Sequence, residues 1–187
     1  MPRRALSKEL KAAISVLSQK EKDKLLFRLI PKDDVLTERL QFQLLEGAAT
    51  TDERRLDMSR LIDEEYDQLE RGHFSPGYLK LTMRSISGRI TRHVKVTSDK
   101  YGEVELNYQL LNDALERFQD RLADYSERRT FKLYTYMIRR AGKLRTLLGK
   151  MHDDYRLDFE DAQRTLHLYI RELPDLEAMA GRYKYEV

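Results

Sequence analysis

The sequence predicts an all-α protein: an antiparallel array of long helices, closed as a helical bundle or stacked as a short α-solenoid, with a small N-terminal helical unit. Three observations carry this. The 187 residues include only eight Gly and four Pro, and charged residues make up 36%, the composition of amphipathic helices. Apolar residues recur at three- and four-residue spacing along most of the chain. Capping residues and helix stops then punctuate that pattern at regular intervals.

The N-terminal unit is expected over residues 1–48, packed on a main domain of residues 49–187. Ser7 caps a first helix ending near Leu17. Ser18, with Glu21 three residues on, forms a capping box for a second helix, which Pro31 closes after "DKLLFRLI". A third helix follows Asp33 or Asp34 and stops at Gly47.

Four longer segments follow. Thr51 or Asp52 opens the first, which places Met58, Leu61, Ile62 and Leu69 on one face before Gly72. Ser75 caps the second, with Pro76 in the first turn, and Leu79, Met83, Ile86 and Ile90 recur at helical spacing. The third starts near residue 103 and repeats Val104, Leu111, Leu115, Phe118 and Leu122 in a near-heptad pattern. The fourth, from about residue 129 to Met151, carries Leu133, Met137, Ala141, Leu144 and Leu148. Asp158 is expected to cap a shorter helix that Pro174 ends, followed by a last short helix with Leu176 and Met179. Residues 90–106 also fit a β-hairpin, with Val94 and Val96 opposite Val104 and Leu106. An isolated hairpin is only marginally stable in water, and the helical spacing continues through Thr97, so helix is the preferred reading.

Composition narrows the functional classes. Cysteine is absent, which removes disulfides, thiol nucleophiles and cysteine-ligated metals, and with them any argument for an oxidising compartment. The first residues lack a continuous apolar stretch, and no run approaches the roughly 20 apolar residues of a membrane span. A cytoplasmic protein without cofactor is expected.

Charge has an order along the chain. Lys and Arg against Asp and Glu give +6 for residues 1–32, then −7 (33–75), +5 (76–101), −5 (102–127), +7 (128–156) and −3 (157–187). In a helical meander each basic helix then lies beside acidic ones, a pattern that specifies neighbours more than it stabilises them, since an exposed pair is worth only ~0–1 kcal/mol.

Within "FKLYTYMIRRAGKLRTLLGKM", residues 131–151, a wheel at 100° per residue places Lys132, Arg139, Lys143 and Lys150 in one narrow stripe. Thr135, Gly142 and Gly149 form another face. Each helical glycine costs ~1 kcal/mol relative to alanine, so the spacing suggests that a second backbone packs closely there, or that the face forms a crevice. Helix 76–98 has a matching polar side with Lys80, Arg84 and Lys95, and Tyr134, Tyr136, Tyr78 and Tyr101 are candidates for stacking on bases.

The histidines can be tested one by one. "HDD" at His152, Asp153 and Asp154 resembles the His-Asp pair of metal-dependent phosphohydrolases, but such a site needs a further His and Asp, with His93 and Asp158 or Asp161 as nominees. Glu70 and His73 have the Glu-x-x-His spacing of di-iron bundles, without the second copy those sites need.

The leading expectation is therefore a non-enzymatic interaction or scaffold protein that offers a charged helical surface or groove to a protein partner, or to a second copy of itself. The alternative is a nucleic-acid-binding protein using basic helices 76–98 and 129–151, through Lys80, Arg84, Lys132, Tyr136, Arg139, Lys143 and Lys150. A metal-dependent phosphohydrolase at His152 and Asp153 is a second alternative.

Overall fold

The structure, a computed structural model, describes residues 5–187; residues 1–4 of the expected N-terminal unit lie outside the described residues. The described residues contain ten α-helices and no strand. They fall into two compact units that meet at Gly47 and Ala48.

In the first unit, α1 (Lys8–Ser15), α2 (Gln19–Leu29) and α3 (Asp34–Gln41) are short. Their ends follow from local chemistry. Ser7 accepts from the Leu10 N–H, Ser18 and Glu21 satisfy each other's backbone in a full capping box, and Asp33 accepts from the Leu36 N–H. A single 3₁₀ turn, Ile30–Lys32, holds Pro31, whose missing N–H could not continue α2. After α3 the chain widens into a π-turn, Phe42–Glu46, and leaves it at Gly47 with φ 72°, a left-handed conformation that glycine adopts at no steric cost. Phe42 is the one buried side chain among the described residues of this unit, while Phe27 and Leu45 are 74% and 82% exposed.

The second unit is built from α4 (Thr51–Arg71), α5 (Pro76–Thr97), α6 (Lys100–Ala123), α7 (Glu127–Leu148), the one-turn α8 (Asp153–Leu157), α9 (Glu160–Glu172) and α10 (Pro174–Arg182). The alternative hairpin is not formed: Val94 and Val96 belong to α5, Val104 and Leu106 to α6. Helix α6 starts three residues before its expected position because Asp99 caps it, accepting from the Gly102 N–H at 2.8 Å. Asp158 is a correction. It ends α8 rather than opening α9, whose first turn has Phe159 where a side-chain cap was expected.

Connections too short to cross the bundle make chain neighbours antiparallel. The long helices pack on more than their chain neighbours: α4 on α5 and α6, α5 on α6 and α7, α6 on α7 and α9, α10 on α7 and α9. This pattern sorts the unit into two layers, α4/α6/α9 and α5/α7/α10. The core lies between them. Helix α6 buries the most, with Leu110, Leu111, Ala114, Leu115 and Phe118 at its centre, facing Ile62 and Tyr66 of α4, Met83 and Ile86 of α5, Met137 and Ala141 of α7 and Ile170 of α9. Burying a side chain of this kind contributes roughly 1.5–3 kcal/mol. Tyrosine hydroxyls join neighbouring helices within each layer at helix carbonyls, Tyr66 Oη of α4 donating to Leu110 of α6 at 2.7 Å and Tyr136 Oη of α7 to Met83 of α5 at 3.2 Å.

Candidate functional site

The layers differ in charge. Helix α5 carries five Lys and Arg and no acid; α7 carries seven, with Glu127 as its single acid. Because the two are neighbours in one layer, the alternation along the chain becomes segregation in space. Helices α4, α6 and α9 are each net acidic.

Side-chain contacts fix how α5 and α7 face each other. In its own first half, α7 meets the first half of α5, through Tyr136 and Met83. Further on, Arg140 donates to Asn107 Oδ1 at 2.7 Å and Lys143 reaches Glu103 at 3.3 Å, both in the first turns of α6, beside the end of α5. The two basic helices therefore run the same way. One flank of α5 turns to α4, where Arg89 pairs with Glu65 at 3.6 Å. The opposite flank, with Lys80, Arg84 and Lys95 inside about 60° of the wheel, borders α7. On α7, Arg139 and Arg145 turn to the far side, bonding Tyr183 at 3.4 Å and Glu186 at 3.3 Å. Lys132 and Lys143 border α5.

The predicted residues thus divide. Lys80, Arg84 and Lys132 lie along the α5–α7 seam, and among the described residues no carboxylate comes within ion-pair distance of them or of Lys95. Lys143 lies there too, partly neutralised by Glu103. Arg139 sits on the edge away from α5 and stacks on Tyr183, 5.2 Å from the ring centre. Lys150 falls beyond the end of α7, in the exposed turn before α8. The stripe seen on an ideal wheel is broken because some of these side chains find partners on α6 and on the segment after α10.

The proposed base-stacking set is corrected in the same way. Tyr136 is half-buried with its hydroxyl committed to Met83; Tyr134 is core. Tyr101 lies against Phe159, 4.8 Å between ring centres, under the Arg55 guanidinium. Tyr78 alone of the four is exposed, edge-on to His73.

Beneath the seam Arg140 is mostly buried. Burial lowers its pKa, and its Nη2 has no hydrogen-bond partner among the described residues. An arginine stays protonated even so, which places a fixed positive charge in a low-dielectric setting under the lysines above it.

The metal-site candidates do not assemble. His152 caps α8, accepting from the Asp154 N–H at 3.4 Å, and it is exposed. No three His, Asp or Glu side chains converge as a metal site among the described residues. His93, the nominee for the further histidine of such a site, is buried elsewhere, with its Nε2 3.4 Å from Asp99 Oδ2. The same oxygen accepts from Arg55 Nε at 2.9 Å. Burial acts to raise the Asp99 pKa, but the hydrogen bonds from His93, the Gly102 N–H and Arg55 outweigh it and hold the carboxyl at about 2. A Cβ on residue 102 would run into that carboxylate, so only glycine fits there. Sequence reasoning missed this cluster. The local signal was Asp99 three residues before Gly102; Arg55 comes from 44 residues away and leaves no local signature.

No helix among the described residues is long and apolar enough to cross a membrane. No protein-family model, curated protein or solved structure matches the chain.

Proposed function

We propose that the protein binds the phosphate backbone of a nucleic acid along the α5–α7 seam. One observation carries the reading: two parallel neighbouring helices whose only acid is Glu127, itself paired with Arg182 at 3.0 Å, present Lys80, Arg84, Lys95 and Lys132 without carboxylate partners among the described residues. Such a face attracts any polyanion, and evenly distributed phosphates match cations strung along two helices. With most tyrosines committed elsewhere, contacts are to backbone and shape rather than to bases, so sequence preference is weak.

Salt titration of binding to random DNA and RNA tests this. Neutralising four phosphates gives a loss of about a hundredfold between 50 and 200 mM salt. Lys80, Arg84 and Lys132 changed together to Glu remove binding with the fold intact by circular dichroism. Unaltered affinity in that triple variant refutes the proposal.

A second reading, docking of a protein partner, is favoured by a different observation. The N-terminal unit exposes Phe27, Leu29, Leu44 and Leu45, more apolar surface than three short helices keep in water without use. Light scattering tests the self-associating form of it: a dimer that Phe27→Ser and Leu45→Ser convert to monomer supports the reading, and a monomer at every concentration restricts it to a different partner.

A further inference from the structure

A crevice of about 450 Å³ opens between α7 and the segment that follows α10, on the side of α7 away from α5. Arg139, Arg145 and Lys184 line it, with the Thr146 and Tyr183 hydroxyls, and Gly142 forms its floor. Two residues of this crevice are poor choices for their local structure. Gly142 sits inside a helix, where alanine would be more stable, and yet no backbone or side chain occupies the space its missing Cβ leaves: nothing lies within 4 Å. The close packing expected for Gly142 is therefore absent, and the glycine keeps the crevice open.

Lys184 is the reverse case. The Tyr185 N–H bonds back to Ala180 O at 2.9 Å and Lys184 adopts φ 54°, the left-handed position of a helix-ending turn where glycine is normally found. A lysine there is strained for its backbone and places an ammonium at the crevice. The segment is anchored from behind, Tyr185 being buried with its hydroxyl 3.2 Å from His167 Nε2. Arg139 is oriented by Tyr183, which it both stacks on and bonds. A lysine where glycine fits best and a glycine where alanine fits best thus meet at one concavity.

We propose that this crevice binds a phosphomonoester. Three cations against one carboxylate, Glu186 on Arg145 at 3.3 Å, leave a net charge that matches the roughly −1.5 to −2 of a phosphomonoester at pH 7 better than the single charge of a phosphodiester. Arginine forks and the Tyr183 hydroxyl, which accepts from Arg139 and keeps its own O–H to donate, supply the directional donors such a group takes, while the Thr146 hydroxyl donates to Gly142 O at 3.0 Å. The apolar wall of Ile138 and Tyr185 accommodates an attached organic part, such as a nucleoside. The site does not rest on the seam proposed above.

Calorimetric titration at low salt with inorganic phosphate, adenosine monophosphate and adenosine tests it, alongside an oligonucleotide with and without a 5′-phosphate. Adenosine monophosphate is expected to bind and adenosine not. Tighter binding of the phosphorylated oligonucleotide than of its hydroxyl form assigns the group to a nucleic-acid end; equal binding of the two, with the mononucleotide retained, assigns it to a free small molecule. Lys184→Gly should weaken the mononucleotide at least tenfold while leaving the thermal midpoint unchanged or higher, because glycine relieves the turn. Gly142→Leu should fill the crevice and abolish binding with helicity intact. Lys80 and Lys132 changed to Glu should leave mononucleotide affinity unaltered, which separates this site from the seam. No binding of phosphate or mononucleotide by the wild type, or equal binding by Lys184→Gly and Gly142→Leu, overturns the proposal.

Discussion

The two layers of the second unit differ in what their charges do. In the acidic layer they are tied together: Arg117 of α6 bridges Asp63 and Asp67 of α4 at 3.0 and 2.6 Å, and Arg55 joins Asp99, Asp52 and Glu105. In the basic layer, Lys80, Arg84, Lys95 and Lys132 stand without such partners among the described residues. The contrast teaches that charge pairing ties the acidic layer together, whereas these cations of the other layer take no part in such pairing among the described residues. Like charges side by side lower stability, so this face adds nothing to the fold through its charges, and the binding proposed for it is open to test against the acidic layer.

The largest test of this contrast is Asp99→Ala. Its carboxylate, 5% exposed, holds Arg55, His93 and the first turn of α6 together, and removing it leaves the buried His93 imidazole without its acceptor, α6 without its cap and Arg55 with only Asp52 and Glu105, at a cost of about 3 kcal/mol in chemical denaturation. The effect depends on pH with a defined sign. The folded carboxyl is depressed from 3.8 to about 2, so its stabilisation is fully present above pH ~4 and is lost as pH falls through ~2. Wild type and variant should then converge in acid.

Asp113 tests the same layer with the opposite sign. Burial raises its pKa from 3.8 to about 6, helped by Asp63 and Glu116 and opposed by the hydrogen bond from Gln109 and the charge of Arg117. The folded state holds the proton more tightly than the unfolded one, so stability falls as pH rises through this range. Asp113→Asn should stabilise the protein by about 1.5 kcal/mol at pH 7, a figure reduced for partial exposure. The gain should disappear below pH ~4; a gain that persists there would show that the charge is not its source.

Arg117→Met is expected to cost about 1 kcal/mol, because three exposed or half-exposed acids lose their shared partner, and to leave nucleic-acid affinity unchanged. Arg84→Met in the basic layer should do the reverse, changing stability by no more than about 0.5 kcal/mol while lowering affinity and flattening its salt dependence. Thermal melts and salt titrations of this pair check the division of labour directly.

Helix existence was legible in the sequence wherever a cap and a periodic apolar face agreed. Ser18 with Glu21, and Ser75 with Pro76, fixed their helix starts by hydrogen bonds spanning three residues, which a linear reading can see. The start of α9 was misread because Asp158 has the right chemistry for a cap but the chain had already formed α8. The basic stripes were legible as well, since 100° per residue places Lys80 beside Arg84 and Lys132 beside Lys143. Which cations stay open was not. That depends on Glu103, Tyr183 and Glu186, which arrive from α6 and from the segment after α10.

By itself, then, the sequence determined the all-α class and the alternating sign of successive helices, because caps, periodicity and charge are properties of short stretches. Tertiary structure alone decided that the long helices also pack beyond their chain neighbours. That more distant contact is set by the shapes of buried faces far apart in the chain, and it turns alternation along the chain into two layers of opposite charge.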